Sequence, residues 1–151
     1  MSYSIYGFLF SLELPSPEET REYLLEGALF PTRPTITMSR AEDGAFDLMQ
    51  IEYAHDRRPM TLRPLRGSDA EVNKGEAIDE AVAAGHPEIA EALRTSEIVL
   101  EWQVERGELD EDAWFALHLW QAWVLRPSQG WLYAPDDGLF DCELRRRSTT
   151  G

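Results

Sequence analysis

Between Ala113 and Leu125 only two side chains, His118 and Gln121, are polar. A helix that is apolar almost all round cannot turn a broad side to water. This segment must therefore be covered on two sides, by its own domain, by a second subunit or by a ligand. Asp110, Glu111 and Asp112 open it, placing three acids at the positive end of the helix dipole. It carries Trp114, Phe115, Trp120 and Trp123, and Trp131 and Tyr133 follow on one face of the next strand. Five tryptophans in 151 residues exceed what a small core needs. Three destinations stay open for these rings: ordinary core, a homodimer contact through the Trp114–Leu125 helix, or a ligand groove.

The length suits one domain spanning 1–151, and an apolar fraction of 43% is enough for a real core. The 28 acidic and 14 basic residues give a net charge of −14. Such a surface repels nucleic acid and anionic membranes, and it favours a basic protein or a cationic small molecule. The acids concentrate between Asp69 and Asp112, where Lys74, Arg94 and Arg106 are the only bases. The sign reverses at Arg145, Arg146 and Arg147, and 145–151 reads as a flexible basic tail. No apolar run approaches the ~18 residues of a membrane span, and the N-terminus lacks a basic secretory n-region. One cysteine, Cys142, fits a reducing cytoplasm. Arginine supplies 13 of the 14 bases, which reads as the composition of a bacterial genome.

Periodicity predicts a strand over Ser4–Leu14, with Tyr6, Phe8 and Phe10 on one face and Gly7 on the other. Ser16-Pro17-Glu18-Glu19 has the form of a capping box with proline at the first helical position, and Gly27 ends that helix. Strands follow at Thr35–Arg40 and Phe46–Tyr53, joined by Glu42-Asp43-Gly44. Met60–Leu65 reads as an edge strand because it contains Pro64. Ser68 or Asp69 caps the next helix, whose inner stripe is Ile78, Ala81, Val82 and Gly85. Glu97–Glu105 is the clearest strand. Gly130–Ala134 and Leu139–Leu144 form a hairpin around Pro135-Asp136-Asp137-Gly138.

The two hairpins are alike. The residues 41–47, Ala-Glu-Asp-Gly-Ala-Phe-Asp, stand 94 positions before Pro-Asp-Asp-Gly-Leu-Phe-Asp at 135–141. The same offset sets Phe8 on Trp102, Ser16 on Asp110, Leu25 on Leu119 and Met38 on Leu132. Each half thus reads strand–helix–strand–strand, over 4–54 and 97–144, with 60–96 as connector. The expected fold is α+β: tandem β-α-β-β units, ferredoxin-like or pseudo-twofold duplicated, in a mainly antiparallel sheet with helices on one face. This arrangement resembles the tandem modules of GyrI-like small-molecule-binding domains. The resemblance implies a cleft in which a carboxylate and aromatic rings hold cationic, apolar ligands.

Catalytic motifs are missing. The chain has no phosphate loop, no dinucleotide fingerprint and no nucleophile elbow. His55, His86 and His118 stand apart, without metal-ligand spacing, so neither metal nor cofactor is expected. Cys142 reads as a structural residue. Glu101 lies mid-strand between Leu100 and Trp102; its face is expected to be wet, because Gln103 and Glu105 share it. Covered instead, its carboxylate would need a partner, or would hold a cation or a proton. The candidate binding residues are Glu101, Trp102, His118, Trp123, Trp131 and Tyr133. The expected function is a non-catalytic binding or interaction module that takes a cationic apolar ligand in an aromatic groove or forms a homodimer. The alternatives are an acidic immunity-type or nucleic-acid-mimic protein that neutralises a basic partner, and a hydrolase or isomerase using Glu101.

Overall fold

The computed structural model describes residues 2–10, 15–27, 30, 32–40, 42 and 46–147. Seven strands form one open antiparallel sheet: β1 (Ser2–Leu9), β2 (Thr35–Arg40), β3 (Phe46–Glu52), β4 (Met60–Leu65), β5 (Ile98–Glu105), β6 (Trp131–Ala134) and β7 (Gly138–Phe140). Their order is β2-β3-β4-β5-β1-β6-β7. Four helices cover it: α1 (Pro17–Glu26), α2 (Gly67–Ala83), α3 (Pro87–Arg94) and α4 (Glu111–Leu125). No described helix is long and apolar enough to cross a membrane.

The two faces of the sheet carry separate cores. Strand alternation sends Leu100, Trp102 and Val104 of β5 toward α1 and α4, while Val99 faces α2 and α3. Likewise Leu132 and Ala134 of β6 join the α4 core, and Tyr133 joins the other. Helices therefore cover both faces, not one. The segment 60–96, expected as a connector, supplies α2 and α3, and the second core exists because Ala77, Ala81, Ile89, Ala90 and Leu93 are buried there. That cover makes β1 apolar on both sides, with Ile5 and Leu9 toward α4 and Phe8 toward α2 and α3.

Strand β4 lies inside the sheet, between β3 and β5, not at an edge. The proline rule holds locally. Pairing of β4 with β3 runs from Met60 to Leu62 and stops two residues before Pro64, whose other neighbour is Leu100 of β5. Helix α2 starts at Gly67 after Arg66 and has no side-chain cap, so neither Ser68 nor Asp69 plays that part. Its buried stripe is Ala77 and Ala81, while Val82 is exposed. The Ser16 capping box and the Asp110 cap form as expected, with Asp110 accepting from the Ala113 amide at 2.9 Å. The hairpin residues Asp43 and Gly44, and the outer part of the first expected strand, Ser11–Leu14, lie outside the described residues.

Both strand–helix–hairpin segments keep their element order, and both helices lie on the same face. Their hairpins sit differently. Strand β6 pairs directly with β1, whereas the first hairpin reaches the centre only through β4, with β3 inside and β2 outermost. The 94-residue offset also matches Phe8 with Trp102, which point to opposite faces. A slip of one residue produces that inversion.

Candidate functional site

Helix α4 is held by its own domain. Ala113, Ala116, Leu117, Trp120, Ala122, Val124 and Leu125 are buried, and Phe115 is its one exposed large apolar residue. Trp120 meets Trp102 edge to face at 5.9 Å between ring centroids, and both are fully buried. Trp123 stacks on Tyr23 of α1 at 4.4 Å. These three indoles are packing residues.

The remaining side of α4 faces a half-open cavity of about 330 Å³. Trp114, His118 and Gln121 line it from the helix. Spacings of four and three residues put these side chains on one stripe. Tyr3 and Ile5 of β1 and Leu132 and Ala134 of β6 form its floor. Asp137, Phe140, Leu144 and Arg146 form its far rim.

Gln121 is the unusual member. It is completely buried, and its amide nitrogen and oxygen have neither accessible surface nor a hydrogen-bond partner among the described residues, as is also true of the Trp102 and Trp120 indole nitrogens and the Ser128 hydroxyl. Leaving one buried polar group unsatisfied costs about 1–3 kcal/mol. Native interiors avoid this, so such a group calls for an explanation. His118 stands at the mouth, tilted against Trp114 at 5.8 Å. Desolvation holds its pKa below the ordinary imidazole value, against an opposing pull from Asp137, so the ring is neutral at pH 7.

The charges at the rim cancel one another. Asp137 lies 3.7 Å from Arg106 and 4.0 Å from Arg146, and Asp136 pairs with Arg106 at 2.6 Å. The Arg106 guanidinium also lies over the Tyr3 ring at 4.3 Å. Burial raises the Tyr3 pKa despite a hydrogen bond from the Asp136 amide, so the phenol stays protonated and donates to Asp137 at 3.5 Å.

The rim is completed by the chain after β7. The expected fraying does not extend to Arg145–Arg147, because Asp141 latches this stretch down. The buried carboxylate accepts from the amides of Glu143 and Arg145 and from the Arg145 guanidinium, each at 3.0 Å. Arg147 donates its amide to the Leu139 carbonyl, and Phe140 bridges to Arg146. Within the latch Leu144 is held at φ 60°, a left-handed conformation that costs a side-chain-bearing residue energy. Ser148–Gly151 lie outside the described residues.

Desolvation pushes the Asp141 pKa up, but the two amides and Arg145 outweigh it and hold the pKa below the ordinary carboxylate value. A depressed folded-state pKa adds stability above the unfolded-state pKa, and that stability is lost as pH falls through the folded value. Asp141→Asn is expected to cost about 1.5–3 kcal/mol at pH 7, the worth of hydrogen bonds to a charged group. Urea unfolding repeated from pH 7 down to 3 should show the gap between wild type and variant closing as acid is added. A gap independent of pH would mean that the carboxylate charge does not hold the latch.

The six residues singled out from the sequence fall on both faces of the sheet. Trp102, His118 and Trp123 lie on the α4 face, and only His118 lines the cavity. Tyr133 packs on the opposite face, stacked on Tyr6 at 6.5 Å, with Trp131 beside it. Glu101 also lies on that face and is buried, not wet; its Oε1 accepts from Arg63 Nε at 2.7 Å. It forms an ion pair with the half-exposed Arg63 and interacts with the Tyr6 phenol. Sequence reasoning passed over Tyr3, Gln121, Asp137, Phe140 and Arg146. A signal for Gln121 was present: the only two polar residues of an apolar helix lie three apart, on one face. A hollow beside α1, about 410 Å³, is an open surface lined largely by Glu19, Glu22 and Glu26. Among the described residues no group of histidine, cysteine and acidic side chains is placed to hold a metal ion. Compared with known proteins, the chain matches no family model, no curated protein and no solved structure.

Proposed function

We propose that this protein is a non-catalytic small-molecule-binding module whose ligand occupies the cavity beside α4. The observation that carries the reading is a half-open cavity walled by rings and short apolar chains, with Tyr3, His118 and the paired Asp137 and Arg146 around it. A volume of about 330 Å³ lies at the small end of the range for ligand sites. The strained Leu144 and the Asp141 latch at the rim belong to the same reading, since strain collects at ligand clamps.

Self-association through the Trp114–Leu125 helix has less surface to work with, because that helix leaves only Phe115 exposed among its large apolar side chains. A second reading, the neutralisation of a basic partner, draws on α2, where Val72 and Val82 are exposed among acids. A cytoplasmic setting rests on the single free cysteine, Cys142. Descent of the two strand–helix–hairpin segments from one unit rests on their shared element order and on helices that cross the same face.

A fragment panel tests the main reading, with amide and side-chain NMR shifts mapped on the fold. Compounds that bind should perturb Tyr3, Trp114, His118 and Leu132 together. If no compound perturbs that set, the cavity holds water alone and the reading fails.

A further inference from the structure

The two charged residues in the cavity lining, Asp137 and Arg146, are fixed in place by backbone bonds. Asp137 lies in the turn between β6 and β7, and its amide donates to the Ala134 carbonyl at 2.9 Å. Arg146 sits in the Asp141 latch, between Arg145 and Arg147, and bridges to Phe140. Their side chains meet loosely. Asp137 lies 4.0 Å from Arg146, 3.7 Å from Arg106 and 3.5 Å from the Tyr3 hydroxyl, each longer than a charge-assisted hydrogen bond. Asp136 beside it shows the contrast, 2.6 Å from Arg106. Both side chains of the loose pair are about half exposed, and parting such a pair costs little.

A ligand entering the cavity meets this pair at the rim and an apolar interior behind it. A cation pairs with Asp137 and takes away the carboxylate that Arg146 faces. An anion pairs with Arg146 and is repelled by Asp137. An uncharged body gains from the walls and leaves the pair unused. An ammonium and a carboxylate side by side answer both residues at once, and an α-amino acid carries the two on one carbon. Rim and ligand then each have no net charge, so neither leaves a charge uncompensated on docking. His118 adds an uncharged ring. The walls are rings and short apolar chains: Trp114 and Phe140 at the sides, Ile5, Leu132 and Ala134 along the floor. Such walls favour a flat, apolar side chain.

We propose that the α4 cavity takes a zwitterionic α-amino acid with an aromatic side chain, its ammonium on Asp137, its carboxylate on Arg146 and its ring between Trp114 and Phe140. This rests on the binding reading above and narrows it to a ligand class. It keeps the cationic end and apolar body expected from the sequence and adds an anionic end.

The test compares four probes built on one phenyl ring and a two-carbon arm: L-phenylalanine, 2-phenylethylamine, 3-phenylpropanoate and 3-phenylpropanamide. Affinity is read at pH 7 by NMR titration of wild type, Asp137→Asn and Arg146→Gln, with folding checked by the backbone spectrum. Each charged end is expected to contribute about 10-fold, so wild type should bind L-phenylalanine about 10-fold more tightly than either singly charged probe. Each substitution should weaken L-phenylalanine by a similar factor, while the uncharged amide binds all three proteins alike. Arg146→Lys, which keeps the charge, should lose less than Arg146→Gln. The wild-type comparison decides by itself should a variant not fold. Equal affinity for all four probes, preference for a singly charged or uncharged one, or L-phenylalanine affinity unchanged in both folded variants overturns the amino-acid proposal and leaves a binding cavity standing. If none of the four perturbs the cavity residues, this proposal is overturned, while the wider fragment panel decides separately on the binding reading.

Discussion

Gln121→Met is expected to make the unliganded protein more stable, by about 1–3 kcal/mol, the desolvation cost of buried polar groups without partners. For a domain of this size each kcal/mol raises Tm by about 2–4 °C. The direction is what distinguishes the readings. Removing a well-bonded buried glutamine destabilises, because its partners are left behind. Here the structure shows no partners to leave, and methionine fills a similar volume with a flexible apolar chain. Urea unfolding of the two proteins at pH 7 measures the difference. A variant less stable than wild type would mean that a neighbouring group satisfies Gln121.

The elements were largely legible because local chemistry decides them. Ser16 with Glu19, and Asp110 alone, mark helix starts by side-chain acceptors that the structure shows in use. The alternation of Ile98 to Glu105 named the two faces of β5 correctly. What covers each face was not legible, because cover depends on where distant segments return. The segment 60–96 reads locally as a strand and a helix. Nothing local says that its strand enters between β3 and β5, or that its helices close the second face. Glu101 follows from that: an acid alternating with Gln103 looks wet until Arg63 is brought alongside by β4. The site has the same character. Its helix stripe, Trp114, His118 and Gln121, is a local pattern, whereas Tyr3 and Arg146 stand 143 positions apart and meet the cavity only through the β1–β6–β7 edge. The repeat taught the reverse lesson. Similar turn residues recur because tight hairpins require them, and similarity there does not fix the strands on either side.

Gly130→Ala should destabilise the protein by about 3 kcal/mol, toward the upper end of overpacking effects. Gly130 lies between the left-handed Gln129 and the first residue of β6. A methyl group there would sit 2.6 Å from the Phe8 carbonyl oxygen and 3.0 Å from a Leu125 methyl. The oxygen belongs to the backbone of β1, which is paired with β5 on one side and β6 on the other, so it cannot move aside. The strain must instead push β6 away from β1, taking Leu132 and Ala134, the floor of the cavity, with it. Ligand affinity should therefore fall together with stability. Gly75, inside α2, supplies the contrast: an added methyl group meets nothing within 4 Å. Gly75→Ala should stabilise by about 0.5–1 kcal/mol, the helix-interior preference of alanine over glycine, and leave binding unchanged. Opposite signs for the two substitutions in urea unfolding would establish that β6 is seated by close backbone approach. Matching small effects would mean that β6 lies further from β1, and the cavity walled by α4, β1 and β6 would not have the shape on which ligand selection depends.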